Sequence, residues 1–82
     1  MSIAKTLTDL GLKFEDTGSV EYLFFYAPGQ TYGERIQVAV DVNTGEIGVV
    51  RQYDEITEKP SLTIRWSAWD ASLGIVLERW VS

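Results

Sequence analysis

The spacing of hydrophobic residues changes several times along the chain, and each change marks an element. In "SIAKTLTDLG", apolar Ile3, Ala4, Leu7 and Leu10 recur at helical spacing, and Gly11 stands where a helix C′ residue belongs. That pattern predicts a short helix over about residues 2–10. From Val20 to Tyr26 the chain is β-branched and aromatic, and Pro28-Gly29 ends the run. This predicts a strand followed by a turn. Val20, Tyr22, Phe24 and Tyr26 fall on one side of that strand, and Leu23 and Phe25 on the other. Large residues on both sides predict a central strand, or one covered on both faces.

"ERIQVAVDV" alternates, with Ile36, Val38, Val40 and Val42 on one face and Gln37, Ala39 and Asp41 on the other. "EIGVVRQY" follows with Ile47, Val49 and Tyr53 on one face. Between them, "DVNTGE" reads either as the start of a calcium loop or as a hairpin turn. Counting Asp41 as the first of twelve loop positions, the required glycine falls on Glu46 and the required bidentate glutamate on Gln52. The calcium reading therefore fails. Pairing Val42 with Ile47 and Val40 with Val49 brings the apolar faces together, which predicts a four-residue Asn43-Thr44-Gly45-Glu46 loop with a positive φ at Gly45. "VAVDVNTGEIGVV" also resembles the strand–turn–strand of PepSY-type domains, where an Asp-x-x-x-Gly-Glu turn joins two valine-rich strands. The resemblance covers about thirteen residues and implies a hairpin; no function is carried from it.

"QYDEITEKPS" is polar and reads as a connection, and "SLTIRW" as a strand with Leu62, Ile64 and Trp66 on one face. The last segment has two readings. Trp69, Leu73, Val76, Leu77 and Trp80 form one helical stripe, and "SAWD" resembles a capping box that starts at Ser67. Gly74 and the composition of "GIVLERWV" instead suit a strand. The helix is preferred. The fold class is α+β: a short N-terminal helix on a four-stranded antiparallel meander near 20–27, 34–42, 47–53 and 61–66, closed by a C-terminal helix or fifth strand.

Composition narrows the chemistry. Eighty-two residues make one small domain, residues 1–82, with 45% hydrophobic and 12% aromatic residues to build a dense core. Cysteine is absent, which rules out disulfides and thiolate metal sites and points to a reducing, cytoplasmic setting. No apolar run reaches the length of a membrane span. Seven cations against twelve acids give a net charge of −5, and the cations are scattered. Direct nucleic-acid binding, by phosphate neutralisation or by stacking of bases on aromatics, is disfavoured by that balance.

Histidine is also absent, which removes imidazole catalysis and imidazole metal sites. Carboxylate chemistry is left, with Glu34, Asp54, Glu55 and Glu58 as its candidates. No phosphate-binding loop is present: "APGQTYGE" lacks the spacing, although Tyr32 within it is a candidate contact. No cofactor or metal ion is implied. Most of Trp66, Trp69, Phe24 and Phe25 are assigned to the core, whereas an uncovered residue among Tyr22, Tyr26, Tyr53 and Trp80 would mark a binding patch or homodimer seam. The acids Asp54, Glu55 and Glu58 could present carboxylates to a basic groove. The expected function is a non-catalytic protein-binding module, a small acidic inhibitor or adaptor acting on a larger partner. Its candidate contacts are Tyr32, Tyr53, Asp54, Glu55, Glu58 and Trp80. Two alternatives stand beside it: a small-molecule-binding or carboxylate enzymatic domain at a homodimer cleft, and an accessory subunit of a larger assembly.

Overall fold

A computed structural model describes residues 3–30, 33–53 and 61–81. The elements run α1 (Ile3–Asp9), β1 (Lys13–Glu15), β2 (Tyr22–Pro28), β3 (Glu34–Asp41), β4 (Ile47–Tyr53), β5 (Leu62–Trp66) and α2 (Ala71–Trp80). The strands form one antiparallel sheet in the order β1-β2-β3-β4-β5. This is the expected α+β class, with a helix at each end of a meander.

The core lies on one face of the sheet. Phe25 and Ala27 of β2, Ile36, Val38 and Val40 of β3, and Ile47 and Val49 of β4 are buried against Leu7, Leu12, Leu73, Leu77 and Val81. Strand alternation supplies one side of this core and the stripes of α1 and α2 the other. Gly11, at φ 102°, ends α1 as expected, and the Leu12 N–H donates to the Leu7 carbonyl.

Four sequence expectations are corrected. A fifth strand, β1, was missing from the predicted meander: "KFE" is three residues with two charges, too short for alternation to show. Phe14 on it meets Phe25 edge-on at 5.6 Å. Second, the β3–β4 register is Val40↔Ile47 and Val38↔Val49, two residues away from the one predicted. The apolar faces still coincide because the period is two. The last pairing is Asp41 N–H to the Glu46 carbonyl, so the loop is Val42–Gly45, and Gly45 takes the expected positive φ of 78°. Asp41 fixes this choice, since its Oδ1 accepts from the N–H groups of Asn43 and Thr44 at 2.8 and 3.1 Å. Val42 consequently leaves the apolar row and is exposed.

Third, α2 is capped by Asp70 rather than Ser67. Asp70 Oδ1 accepts from Ser72 Oγ at 2.6 Å and from the Leu73 N–H at 2.9 Å, and Trp66 Nε1 donates to Ser72 Oγ at 3.3 Å. Gly74 sits inside this helix against the Trp69 ring, which a Cβ there would meet at a tight 3.3 Å. Packing thus outweighs its low helix propensity. Fourth, β2 is an internal strand, as the first of its two readings has it, but is not covered on both faces, as the second has it; the consequence is taken up below.

The bonds from Ser72 and then Leu73 hold the Asp70 carboxyl below its ordinary pKa. A depressed folded pKa stabilises fully above the ordinary aspartate range, and the effect is lost as pH falls through the depressed value. Asp70→Ala is therefore expected to lower the thermal midpoint at neutral pH, and Asp70→Asn less, with wild type and Asp70→Asn converging in acid. Melting curves at pH 7 and pH 2 measure this; a wild-type advantage over Asp70→Asn undiminished at pH 2 would show that the charge is not what stabilises the cap.

Candidate functional site

Among the described residues, no helix lies on the face of the sheet opposite the core. Cross-strand register places its residues in four rows. At one end stand Tyr22 and Asp41, with Glu46 beside them; next come Glu15, Phe24, Ala39, Gly48 and Arg65. The third row is Lys13, Tyr26, Gln37, Val50 and Thr63, and the last holds Pro28, Arg35 and Gln52. Every position follows from strand alternation once Ile36, Val38 and Val40 point into the core.

Three features shape this surface. Tyr22, Phe24 and Tyr26 make an aromatic stripe along β2, with Tyr22 and Phe24 at 6.0 Å. The Arg35 guanidinium lies over the Tyr26 ring at 4.8 Å and pairs with Glu15 at 2.6 Å. Beside the stripe the side chains are small. Ala39 and Gly48 are paired, and a Cβ built on Gly48 would touch nothing within 4 Å. A shallow concavity of about 270 Å³ results, lined by Tyr22, Asp41 and Glu46 at one end and Arg65 across the floor. The backbone N–H groups of Asn43 and then Thr44 hold the Asp41 carboxyl below its ordinary pKa, so it is ionised at neutral pH.

A second cluster sits on the helix side. The Glu34 carboxylate, on the core row of β3, has no solvent exposure and accepts two bonds from Arg51, from Nε at 2.9 Å and Nη2 at 3.1 Å. Arg51 also lies 5.7 Å from the Tyr53 ring and 5.2 Å from the Trp80 ring. The hydrogen bonds that Arg51 donates to Glu34 raise its pKa above an already high value, so it is charged at any working pH. Gly29 permits this geometry, because a Cβ there would collide with the Glu34 carboxylate.

Of the predicted contacts, the structure brings Tyr53 and Trp80 together around Arg51, both half-buried. Tyr32, Asp54, Glu55 and Glu58 lie outside the described residues. Glu34, a candidate for carboxylate chemistry, is engaged by Arg51 on both oxygens. Phe25 is core, and Trp66 and Trp69 pack against it, as expected. Phe24 instead belongs to the open face. Tyr22 and Tyr26, two of the four residues that would mark a patch if uncovered, stand on that face, Tyr22 exposed and Tyr26 half-buried; the face as a whole is not legible in sequence because large residues on both sides of β2 also suit two coverings. The signal was present in Ala39 and Gly48, whose small size leaves a trough.

No protein-family model, curated protein or solved structure matches the chain. Among the described residues, no helix is long and apolar enough to cross a membrane.

Proposed function

We propose that this chain is a non-catalytic protein-binding module, a small acidic inhibitor or adaptor that acts on a larger protein in a reducing cytoplasm. Its contact surface is the open sheet face. The observation that carries this reading is the aromatic stripe Tyr22, Phe24 and Tyr26, left without a helix beside a small-residue trough. Tyrosine and phenylalanine are enriched where proteins meet, and they anchor an interface at low entropic cost. The roles of the acids agree. Glu34 is held by Arg51, while Asp41 and Asp70 cap a turn and a helix. The trough also favours a macromolecule over a metabolite, because about 270 Å³ lies below the usual ligand-pocket range of roughly 300–1,000 Å³.

The test compares capture by wild type and by Phe24→Lys from a lysate of the native source, with quantitative mass spectrometry as the readout. A stoichiometric protein retained by wild type and lost by a Phe24→Lys variant of unchanged circular dichroism is expected. Equal capture by both proteins would move the contact surface elsewhere, and no capture by wild type would reject the module.

A further inference from the structure

The open face is complementary to itself, and we infer that two copies of the chain cover each other's open faces in a reversible homodimer when no larger partner is present. This goes beyond the reading above while using the same surface.

The argument starts from how charge is distributed along the strands. Asp41 and Glu46 stand at one end of the face, Arg35 and Gln52 at the other. Two sheets stacked face to face can be related by a two-fold axis running along the strands or across them. An axis along β3 sets Asp41 over the second copy's Asp41 and Arg35 over its Arg35. Like charges then meet at both ends, which costs energy in a water-excluded contact. An axis across the strands, between the Phe24 and Tyr26 rows, reverses the rows. Arg35 then faces the second copy's Asp41, and Gln52 faces its Glu46. Charge selects the second arrangement.

Shape accommodates it. Row reversal sets Val50 over the second copy's Gly48, where the surface is open, and Gln37 over its Ala39. Phe24 meets the second copy's Tyr26, an aromatic pair at the centre of the contact. In the two middle rows, each larger side chain on β3 and β4 meets a small one. At the edge, Lys13 comes opposite Glu15.

The size of the face sets the strength. Four strand spacings of ~4.8 Å and a seven-residue strand at ~3.3 Å per residue give a footprint of roughly 19 by 23 Å. Two such faces total roughly 900 Å², near the low end for specific interfaces. A chain carrying −5 also repels its copy, so association is weak and is best measured at about 0.15 M salt, where long-range repulsion is screened.

Sedimentation equilibrium of the purified chain from about 1 µM to about 1 mM tests this, a range chosen to span weak dissociation constants. The wild-type mass is expected to climb from one chain towards two. Gly48→Leu is the decisive variant. Its side chain enters open space in the single chain, so folding is kept, but it occupies the volume that Val50 of the second copy would fill. Its dissociation constant is expected to rise at least tenfold with an unchanged thermal midpoint. Arg35→Glu, which faces Asp41 with a like charge, is expected to weaken association similarly. A wild-type mass of one chain throughout, or Gly48→Leu self-associating as tightly as wild type, overturns the dimer. Neither result touches the capture experiment with Phe24→Lys, so failure of the dimer and failure of the binding module are told apart.

Discussion

Arg51→Ala is expected to lower stability by about 3–5 kcal/mol, more than any other polar substitution among the described residues. The reason is the asymmetry of the pair. The Glu34 side chain has no solvent exposure, whereas that of Arg51 retains 29%. Removing Arg51 leaves a buried carboxylate with both hydrogen bonds gone, and burying an unpaired charge is costly. Removing Glu34 leaves a guanidinium that can turn to water and keep its contacts with Tyr53 and Trp80. Glu34→Ala should therefore cost less, about 1–2 kcal/mol. Replacing both by apolar residues, Glu34→Leu with Arg51→Met, should recover much of the Arg51→Ala loss, since no charge is then stranded. Urea titrations of the four proteins measure the order. If Glu34→Ala proved as damaging as Arg51→Ala, the stranded carboxylate would not be what governs this corner of the fold.

The neighbouring residues Phe24 and Phe25 provide the second large effect. Phe25 is 1% exposed and packs against Phe14 and the core. Phe25→Ala should cost about 3–5 kcal/mol, the loss expected when a buried ring leaves a cavity. One residue earlier, Phe24 points to the opposite face and is half-buried there. Phe24→Ala should cost less than Phe25→Ala, about 1 kcal/mol, because only part of the ring is withdrawn from water. Its effect should fall on association instead. Thermal or urea unfolding of the two variants separates the faces directly. Comparable losses would mean that the Phe24 side of β2 is covered within the single chain.

These two phenylalanines also show how far the sequence can be read. Alternation places Phe24 and Phe25 on opposite faces, but it does not say which face is covered. Both faces of β2 are rich in large side chains, so local pattern gives no preference. The preference comes from β3 and β4, where Ile36, Val38, Val40, Ile47 and Val49 all lie on the same face as Phe25. Their row alone has the apolar density to bury two helices. The opposite row, through Gln37, Ala39, Gly48 and Gln52, has not.

The Glu34–Arg51 pair was beyond reach for a related reason. Seventeen residues separate its members, and they meet only because the register opposes Glu34 to Tyr53 and brings Arg51 onto the same face. The predicted register was two residues away and would not have brought them together. What displaced it was Asp41, whose carboxylate caps the turn, a local hydrogen bond that hydrophobic alternation does not register.

The sequence by itself determined the α+β class, the N-terminal helix and four of the five strands, and favoured the C-terminal helix over a strand, because period and punctuation act within a few residues of chain. It also excluded imidazole and thiolate chemistry, because those residues are absent. Tertiary structure alone decided which sheet face is core, where the buried ion pair closes, and that an aromatic stripe lies on the face without a helix among the described residues. Each of those depends on side chains from different strands meeting across a register, and register is settled by turn geometry and total apolar burial together.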